Sequence, residues 1–233
     1  MIKGVLFDFN GTLFFDSDLH ILAFQRFFEK NGLEVLDADA IAALILGRTN
    51  TDIFTDIAGR DVGAERIDAM GLEKEAYYRE MCLERPEIFK LADGVCEMFD
   101  WLVQNGIPFN IATGSGIENV EFYYDKFELG RWLPFEKIVY NDKTLRGKPE
   151  PDFYIEAARR IGLEVGECIV FEDAVSGFKS ARRAGAGALL AVVPDGLGFS
   201  VSEEVAVDGE IKDFKDYISV FQKYGLCKGK DQN

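Results

Sequence analysis

Four short apolar runs divide the sequence, and each ends in a polar cluster or at a proline. They are Gly4 to Phe7, Pro108 to Ala112, Cys168 to Phe171, and Ala188 to Val193. Short apolar runs bounded by turn residues are typical of strands that are buried on both faces. Helical patterns lie between these runs at residues 97–104, 151–161 and 176–184, and each ends at or just before a glycine. Strands that alternate with helices predict an α/β fold, in which helices cover both faces of a parallel sheet.

The stretch from residue 16 to residue 85 has a different pattern. Segments 19–30, 38–46 and 66–83 have the spacing of helices, and the stretch has no strong strand signal. We therefore predict two domains, an α/β core formed by residues 1–15 and 86–233, and a helical domain at residues 16–85 inserted after the first strand. Near the end of the chain, residues 204–207 have the pattern of an edge strand and residues 213–224 that of a closing helix.

Composition and charge limit the partners that we expect. Hydrophobic residues make up 48% of the 233 residues, and the formal net charge is −15. So acidic a surface repels nucleic acid and anionic membranes, and no segment approaches the roughly 20 apolar residues that span a bilayer. The four cysteines have no paired spacing, which is typical of reduced thiols in the cytosol. We expect a cytoplasmic protein, monomeric by default, that binds neither nucleic acid nor membrane.

Polar residues follow three of the predicted strands, where the carboxyl ends of a parallel sheet bind ligands. They are Asp8, Thr113 and the pair Glu172 and Asp173, and Lys148 lies in a loop between two of these strands. Each residue alone is more typical of a turn, a helix cap or a solvated surface. The ordered set of a carboxylate, a hydroxyl, a lysine and an acid pair indicates a site.

The chemistry that such a set supports is phosphoryl transfer. A carboxylate such as Asp8 attacks phosphorus to form an acyl phosphate, and a cation between Asp8 and Asp173 offsets the repulsion between the anions. Mg²⁺ suits these oxygen ligands. Lys148 would neutralise the remaining charge. The phosphoryl oxygens would be held by the Thr113 hydroxyl and by backbone N–H groups around Gly11 and Gly114.

Four segments together resemble the haloacid dehalogenase superfamily. They are residues 8–12 (Asp-Phe-Asn-Gly-Thr), 112–115 (Ala-Thr-Gly-Ser), 147–151 (Gly-Lys-Pro-Glu-Pro) and 171–177 (Phe-Glu-Asp-Ala-Val-Ser-Gly), and the resemblance covers nearly the whole chain. The helical insert is similar to the cap domain of the subgroup that includes β-phosphoglucomutases and small sugar-phosphate phosphatases. The resemblance implies a Rossmann-like parallel-sheet core with a helical cap.

The resemblance also implies roles for individual residues. Asp8 would be the nucleophile of a magnesium-dependent phosphohydrolase that acts on a small phosphorylated metabolite. The implied Mg²⁺ ligands are Asp8, the main-chain carbonyl of Asn10 and Asp173, assisted by Glu172. The implied phosphate and substrate contacts are Thr113, Lys148, Gly11, Gly114 and Ser115, with His20 from the first cap helix and Arg48 and Thr49 from the cap loop 47–50. For His20 a packing role, and for Arg48 a surface position at a helix end, are equally open.

One residue departs from the phosphatase pattern. That pattern has an aspartate two residues after the nucleophile, which protonates the leaving group and then activates water, whereas this chain has Asn10. An amide does not titrate in the useful range, although its main-chain carbonyl can still bind a metal ion. Three explanations follow: a slow phosphohydrolase in which another group such as His20 supplies the acid, an engineered asparagine that traps a complex, or a protein that binds a phosphorylated ligand without turnover.

Other reactions use the same nucleophile. A haloacid dehalogenase needs no metal, and the acid pair Glu172 and Asp173 counts against it. A phosphonatase needs a Schiff-base lysine from the cap, for which Lys30 at a helix end is a poor candidate. A β-phosphoglucomutase-like mutase normally depends on the acid that Asn10 replaces. The sequence therefore favours a phosphohydrolase that forms an aspartyl-phosphate on Asp8.

Overall fold

The computed structural model describes residues 1–45, 48–59, 61–194 and 205–227. The chain divides into two compact units, one formed by Met1–Phe15 with Leu91–Asn233, and the other by Asp16–Lys90. Leu46, which would end a predicted helix, and Gly47 of the predicted cap loop lie outside the described residues.

The second unit is helical throughout its described secondary structure. Its helices are α1 (Ser17–Lys30), α2 (Ala38–Ile45), α3 (Asn50–Ala58) and α4 (Ala64–Glu84). Apolar side chains from all four pack into one core that includes Phe24, Phe27, Ile41, Phe54 and Met70. The sequence predicted three of these helices but not α3, whose start is stabilised by a capping box between Thr49 and Asp52.

The first unit contains a parallel sheet, which confirms the predicted α/β fold. Within the described residues its strands are β1 (Gly4–Phe7), β2 (Phe109–Ile111), β3 (Cys168–Glu172), β4 (Ala188–Val192) and β5 (Gly209–Ile211), in the order β2-β1-β3-β4-β5. All residues of β1 to β4 are buried. Burial on both faces explains why these strands are continuous apolar runs.

Among its described residues, the same unit has the α-helices α5 (Val95–Gln104), α6 (Ile117–Lys126), α7 (Asp152–Arg160), α8 (Val175–Arg183) and α9 (Tyr217–Lys223). The predictions near the C-terminus were partly wrong. The edge strand lies at Gly209–Ile211 rather than at 204–207, and residue 204 is outside the described residues. The closing helix begins at Tyr217 rather than at residue 213.

None of the described helices is both long enough and apolar enough to cross a membrane.

The register of the sheet sets where the polar strand ends lie. Phe7 at the end of β1 is opposite Phe171 of β3 on one side and Ile111 of β2 on the other. Since all three strands are parallel, the residues that follow them emerge at the same edge. The Asp8 N–H donates to the Phe171 carbonyl over 3.0 Å, and the Ala112 N–H donates to the Phe7 carbonyl over 2.8 Å.

Candidate active site

Lys148 joins two carboxylates at this edge of the sheet. Its Nζ lies 2.5 Å from Asp8 Oδ1 and 2.6 Å from Glu172 Oε1, and its side chain is 10% exposed. Burial alone would lower the pKa of Lys148, but the charges of Asp8 and Glu172 raise that pKa well above its usual value. The amine therefore stays cationic and lies directly against the predicted nucleophile.

Glu172 is held by four hydrogen bonds. Its Oε1 accepts from Lys148 Nζ and from the Tyr154 hydroxyl at 3.1 Å, and its Oε2 accepts from the backbone N–H groups of Asp173 and Ala174 at 2.8 Å. Both carboxylate oxygens are therefore engaged with protein donors. This geometry favours Glu172 as the residue that fixes Lys148 and the turn after β3, rather than as a direct metal ligand.

Asp173 lies against the loop that follows β1. Its Oδ1 accepts a hydrogen bond from Thr12 Oγ1 at 3.0 Å. Gly11 has a φ of 78°, and a Cβ at this position would stand 2.0 Å from Asp173 Oδ2. Gly11 is therefore required both by its left-handed backbone and by the close approach of the carboxylate. Its N–H donates to the Phe14 carbonyl over 2.7 Å, so the loop itself uses the amide that was predicted to contact phosphate.

Three carboxylates meet at this point, those of Asp8, Glu172 and Asp173, each with an oxygen within 4.8 Å of the others. When all three acids are ionised, the group with Lys148 carries three negative charges and one positive charge. Burial, followed by the charges of Glu172 and Asp8, raises the pKa of Asp173 well above its usual value. A divalent cation would relieve this repulsion, and the all-oxygen donor set suits Mg²⁺. The residues present therefore fit the predicted metal ion.

Asn10 contacts the second predicted motif through its side-chain amide. Its Oδ1 accepts from Ser115 Oγ at 2.8 Å and from Thr113 Oγ1 at 3.3 Å. Its Nδ2 donates to the Tyr123 hydroxyl at 2.9 Å. The structure thus brings together Asn10, Thr113 and Ser115 as predicted positions, and adds Tyr123. A Cβ at Gly114, between the two hydroxyl residues, would meet no atom within 4 Å, so that backbone faces open space.

The helical unit contains a buried polar network around His20. The ring of His20 stacks on Tyr78 with a centroid separation of 4.2 Å, and its Nε2 lies 3.3 Å from Asp16 Oδ2. Its Nδ1 lies 2.7 Å from Nζ of Lys74, a lysine that is 1% exposed. Within this unit His20 makes a ring stack and polar contacts, and the substrate contact that the sequence left equally open stays a prediction.

The predicted substrate residues of the cap loop also contact their own unit. Arg48 Nη2 donates to the Asp52 carbonyl at 3.0 Å and pairs with Asp56 Oδ2 at 2.5 Å. Thr49 Oγ1 accepts from the Asp52 N–H at 3.2 Å and thereby caps α3. Both side chains therefore stabilise the start of α3.

Sequence reasoning missed several residues of the site. They are Thr12, Tyr123, Tyr154 and Gly177. Thr12 and Gly177 lie in recognised motifs but were given no role of their own, whereas Tyr123 and Tyr154 lie on helices and have no distinguishing local pattern. A Cβ at Gly177 would lie 1.6 Å from Glu172 Oε1, a contact that only the fold reveals.

Known proteins resemble this chain both in sequence and in fold. Residues 5–191 match the haloacid dehalogenase-like hydrolase family. The chain is 30% identical over 190 residues to fructose-1-phosphate phosphatase of Escherichia coli (strain K12), covering 80% of this chain and 94% of that protein. It is 28% identical over 185 residues to validoxylamine A 7'-phosphate phosphatase of Streptomyces hygroscopicus subsp. limoneus, covering 79% of this chain and 83% of that protein.

A solved structure of a HAD hydrolase, family IA, variant 3, from Entamoeba histolytica superposes with a TM-score of 0.83 at 34% identity, covering 97% of this chain and 99% of that chain. A β-phosphoglucomutase from Clostridium difficile has the same fold, with a TM-score of 0.72 at 17% identity, covering 97% and 98% of the two chains. These matches confirm the predicted resemblance, fold and enzyme class. The chain belongs to the haloacid dehalogenase-like hydrolase family.

Proposed function

We propose that this chain is a magnesium-dependent phosphatase, which hydrolyses the phosphate ester of a small metabolite through an aspartyl-phosphate on Asp8. The observation that carries the proposal is the contact of Asp8 with Lys148 beside Asp173, at the carboxyl end of β1 and β3. A carboxylate beside a fixed cation and a second acid is suited to attack on a phosphoryl group.

The metal ion would be held by the carboxylates of Asp8 and Asp173 and by the main-chain carbonyl of Asn10. When bound, Mg²⁺ neutralises charge on the phosphoryl oxygens and so permits the approach of a carboxylate. Glu172 keeps Lys148 in place, since both of its oxygens are occupied by protein donors.

The protein groups around Asp8 would bind and orient the ester. The hydroxyls of Thr113 and Ser115, with the backbone amide of Gly114, offer donors to the phosphoryl oxygens. Lys148 keeps a positive charge beside Asp8, because the neighbouring acids raise the pKa of its amine. Asp8 Oδ is then the attacking atom, and the phosphorus–oxygen bond to the leaving group breaks as the acyl phosphate forms.

The relatives support a sugar phosphate or a related compound as the substrate class. Three relatives are named as phosphatases of fructose 1-phosphate, of validoxylamine A 7'-phosphate and, in Thermotoga maritima, of phosphorylated carbohydrates. Another relative, from Arabidopsis thaliana, is named as an FMN phosphatase. As part of the same proposal, residues 16–85 serve as the cap domain that selects the substrate. Its loop at residues 48 and 49 and its first helix with His20 are the segments that the family resemblance assigns to substrate contact.

A second function is favoured by Asn10. Because the amide cannot transfer a proton, the chain would bind Mg²⁺ and a phosphorylated ligand with little turnover. With this second function, the chain would be a phosphate-ligand-binding or regulatory member of the family. It would bind the same ligands as the phosphatase but would turn them over much more slowly.

Phosphate release tests the two functions. We expect release from fructose 1-phosphate or p-nitrophenyl phosphate with Mg²⁺, and its loss on EDTA treatment and in Asp8→Ala. The matched control is Asp125→Ala, because this side chain is 74% exposed and forms a surface ion pair with its neighbour Lys126. Release by Asn10→Asp alone would support the ligand-binding function. Release that persists in Asp8→Ala would contradict the aspartyl-phosphate, and metal-independent release of halide from a haloacid would instead support a dehalogenase.

A further inference from the structure

Tyr123 is fixed in position by an aromatic cluster under the site. It lies on α6 and is 1% exposed. Its ring stacks on Phe9 with a centroid separation of 4.7 Å, is edge-on to Phe14 at 6.1 Å, and stacks on Phe127 at 6.4 Å. Aromatic pairs of these geometries hold ring orientation as well as burying area. The direction of the Tyr123 hydroxyl is therefore set by the core.

The amide of Asn10 connects this hydroxyl to the second motif. Asn10 Nδ2 donates to Tyr123 over 2.9 Å, and Asn10 Oδ1 accepts from Ser115 Oγ over 2.8 Å. An amide has a donor face and an acceptor face, so the contact at one end decides what the other end presents. A phenol oxygen that accepts from Nδ2 turns the carbonyl oxygen towards Ser115.

The hydroxyls at the other end are part of one small loop. The Ser115 N–H donates to Thr113 Oγ1 at 3.1 Å, and Thr113 Oγ1 also lies 3.3 Å from Asn10 Oδ1. The Asn141 N–H donates to the Ser115 carbonyl at 2.9 Å. The Asn10 amide is thus the side chain that ties both hydroxyl oxygens of this loop to α6. Each hydroxyl has a single proton, so a hydroxyl that donates to a ligand gives up its hydrogen bond to Asn10 Oδ1. The amide therefore positions the two hydroxyl oxygens before the ligand binds.

We propose that Tyr123 is a positioning residue of the site: through the Asn10 amide it sets the position of the Ser115 and Thr113 hydroxyls. The inference rests on the proposed function, since it takes these hydroxyls as phosphate-binding groups. It also gives Asn10 a task that needs no titrating proton. At a position where the phosphatase pattern has an acid, this chain uses an amide to hold residues 113–115, the proposed phosphate-binding loop.

The first test is the affinity for inorganic phosphate in the presence of Mg²⁺, measured by calorimetry. Tyr123→Phe keeps the ring but removes the acceptor of the Asn10 NH₂ group, and a net hydrogen bond corresponds to roughly a fivefold change in an equilibrium. We expect phosphate affinity to fall about fivefold. The matched control is Tyr124→Phe, the next residue of α6, whose hydroxyl donates to the Leu133 carbonyl at 3.1 Å, and which should leave the affinity unchanged.

A double-mutant cycle separates positioning from general loosening of the core. Tyr123→Phe acts through Asn10, so in an Asn10→Ala background it should have no further effect on phosphate affinity. An equal loss in both backgrounds would show that Tyr123 acts only on stability and would overturn the inference. Unchanged or tighter phosphate binding by Tyr123→Phe would also overturn it.

A spectroscopic readout does not depend on turnover. The side-chain NH₂ signals of Asn10, assigned by their loss in Asn10→Asp, should shift in Tyr123→Phe and stay in place in Tyr124→Phe. If no ester is hydrolysed but phosphate affinity and the NH₂ signals respond as expected, the proposed function fails and the positioning role stands. If esters are hydrolysed but the Asn10 NH₂ signals are the same in Tyr123→Phe as in the wild-type chain, the positioning role is wrong and the proposed function stands. A chain that binds no phosphate at all contradicts both.

Discussion

Gly177 lies directly against the carboxylate of Glu172: a Cβ added to Gly177 would stand 1.6 Å from Oε1 and 1.9 Å from Cδ. Atoms cannot approach that closely, so a side chain at 177 excludes the carboxylate from its place. That carboxylate is 1% exposed and holds Lys148 beside Asp8. The start of α8 therefore needs a glycine to leave room for the group that orders the site.

Gly177→Ala should abolish most of the activity and reduce stability. The displaced Glu172 can no longer hold Lys148, so we expect phosphate release to fall at least about tenfold. Overpacking of this kind costs roughly 1–3 kcal/mol in the free energy of unfolding. Enzyme assays and urea denaturation measure the two effects. The matched control is Gly63→Ala, where a Cβ meets no atom within 4 Å, and an equal loss there would contradict the steric argument.

Lys148→Met should destabilise the protein far more than the loss of a surface lysine. It leaves Asp8 and Glu172 facing each other without a cation, and breaking a buried ion pair typically costs about 3–5 kcal/mol. Urea denaturation in EDTA measures the loss against the wild-type chain.

The control for Lys148 is another short lysine–glutamate pair. Lys3 lies 2.6 Å from Glu167, but the two side chains are 54% and 30% exposed. Exposed pairs contribute about 0–1 kcal/mol, so Lys3→Met should be nearly neutral. Similar losses for the two lysines would show that burial does not decide the effect.

The sequence predicted the parts of this molecule that rest on local pattern and on strand order. Asp8, Glu172 and Asp173 were placed together because each follows an apolar run, and parallel strands end at one edge. Lys148 was assigned from its place in the ordered polar set, in a loop between two of these strands, and the family resemblance implied the same role. The edge strand was placed some residues too early, because β5 is only partly buried and therefore lacks the continuous apolar run of the central strands.

The missing residues depend on contacts between distant segments. Tyr123 is 113 residues from Asn10, and nothing in α6 distinguishes it from Tyr124 beside it. In the sequence Lys74 looks like an ordinary charged residue of α4, yet it is 1% exposed. Its ammonium group contacts the ring nitrogen Nδ1 of His20 and donates a hydrogen bond to the carboxylate of Glu75, which compensates for the burial of its charge. Such pairs follow from how helices pack, and periodicity carries no information about them.

Magnesium should stabilise the protein more at high pH than at low pH. Burial and the charges of Glu172 and Asp8 raise the pKa of Asp173 in the metal-free protein. A raised pKa in the folded state means that this acid contributes stability while it is protonated, and loses that contribution as the pH rises through the folded-state pKa. A cation that replaces the proton restores stability above that pKa, where it meets no competition.

Thermal unfolding measures this linkage. The increase in Tm on adding Mg²⁺ should be larger at pH 8 than at pH 5.5, and Mg²⁺ binding near the folded-state pKa should release protons, seen as a buffer-dependent heat. Asp173→Asn removes the titrating ligand and should abolish both effects. Asp142→Asn is the control, since this exposed acid has a lowered pKa from its hydrogen bond with Thr144 and lies outside the acidic cluster. A Mg²⁺ effect that is independent of pH would contradict the role of Asp173.

Replacing Asn10 with aspartate should change which esters the enzyme cleaves. Acyl and aryl leaving groups have low pKa values and depart without a proton, whereas a sugar hydroxyl needs one. With an amide at position 10, we expect higher kcat/KM for acetyl phosphate and p-nitrophenyl phosphate than for fructose 1-phosphate. General acid–base catalysis contributes roughly 10²–10⁴-fold, so Asn10→Asp should raise turnover of the sugar phosphate by up to that factor, and that of the aryl phosphate by much less.

The control for this change is Asn105→Asp, the same substitution at the exposed end of α5, where the amide donates to the Trp101 carbonyl. It alters net charge equally and should leave the ratio of the two substrates unchanged. Equal kcat/KM of the wild-type chain for both classes would mean that another group already supplies the proton. In that case the buried histidine network would need testing next, because His20 is the one histidine in the sequence. A ratio that shifts only with position 10 would instead show that the chain has kept the nucleophile, metal ligands and phosphate loop of a phosphatase while giving up its proton donor.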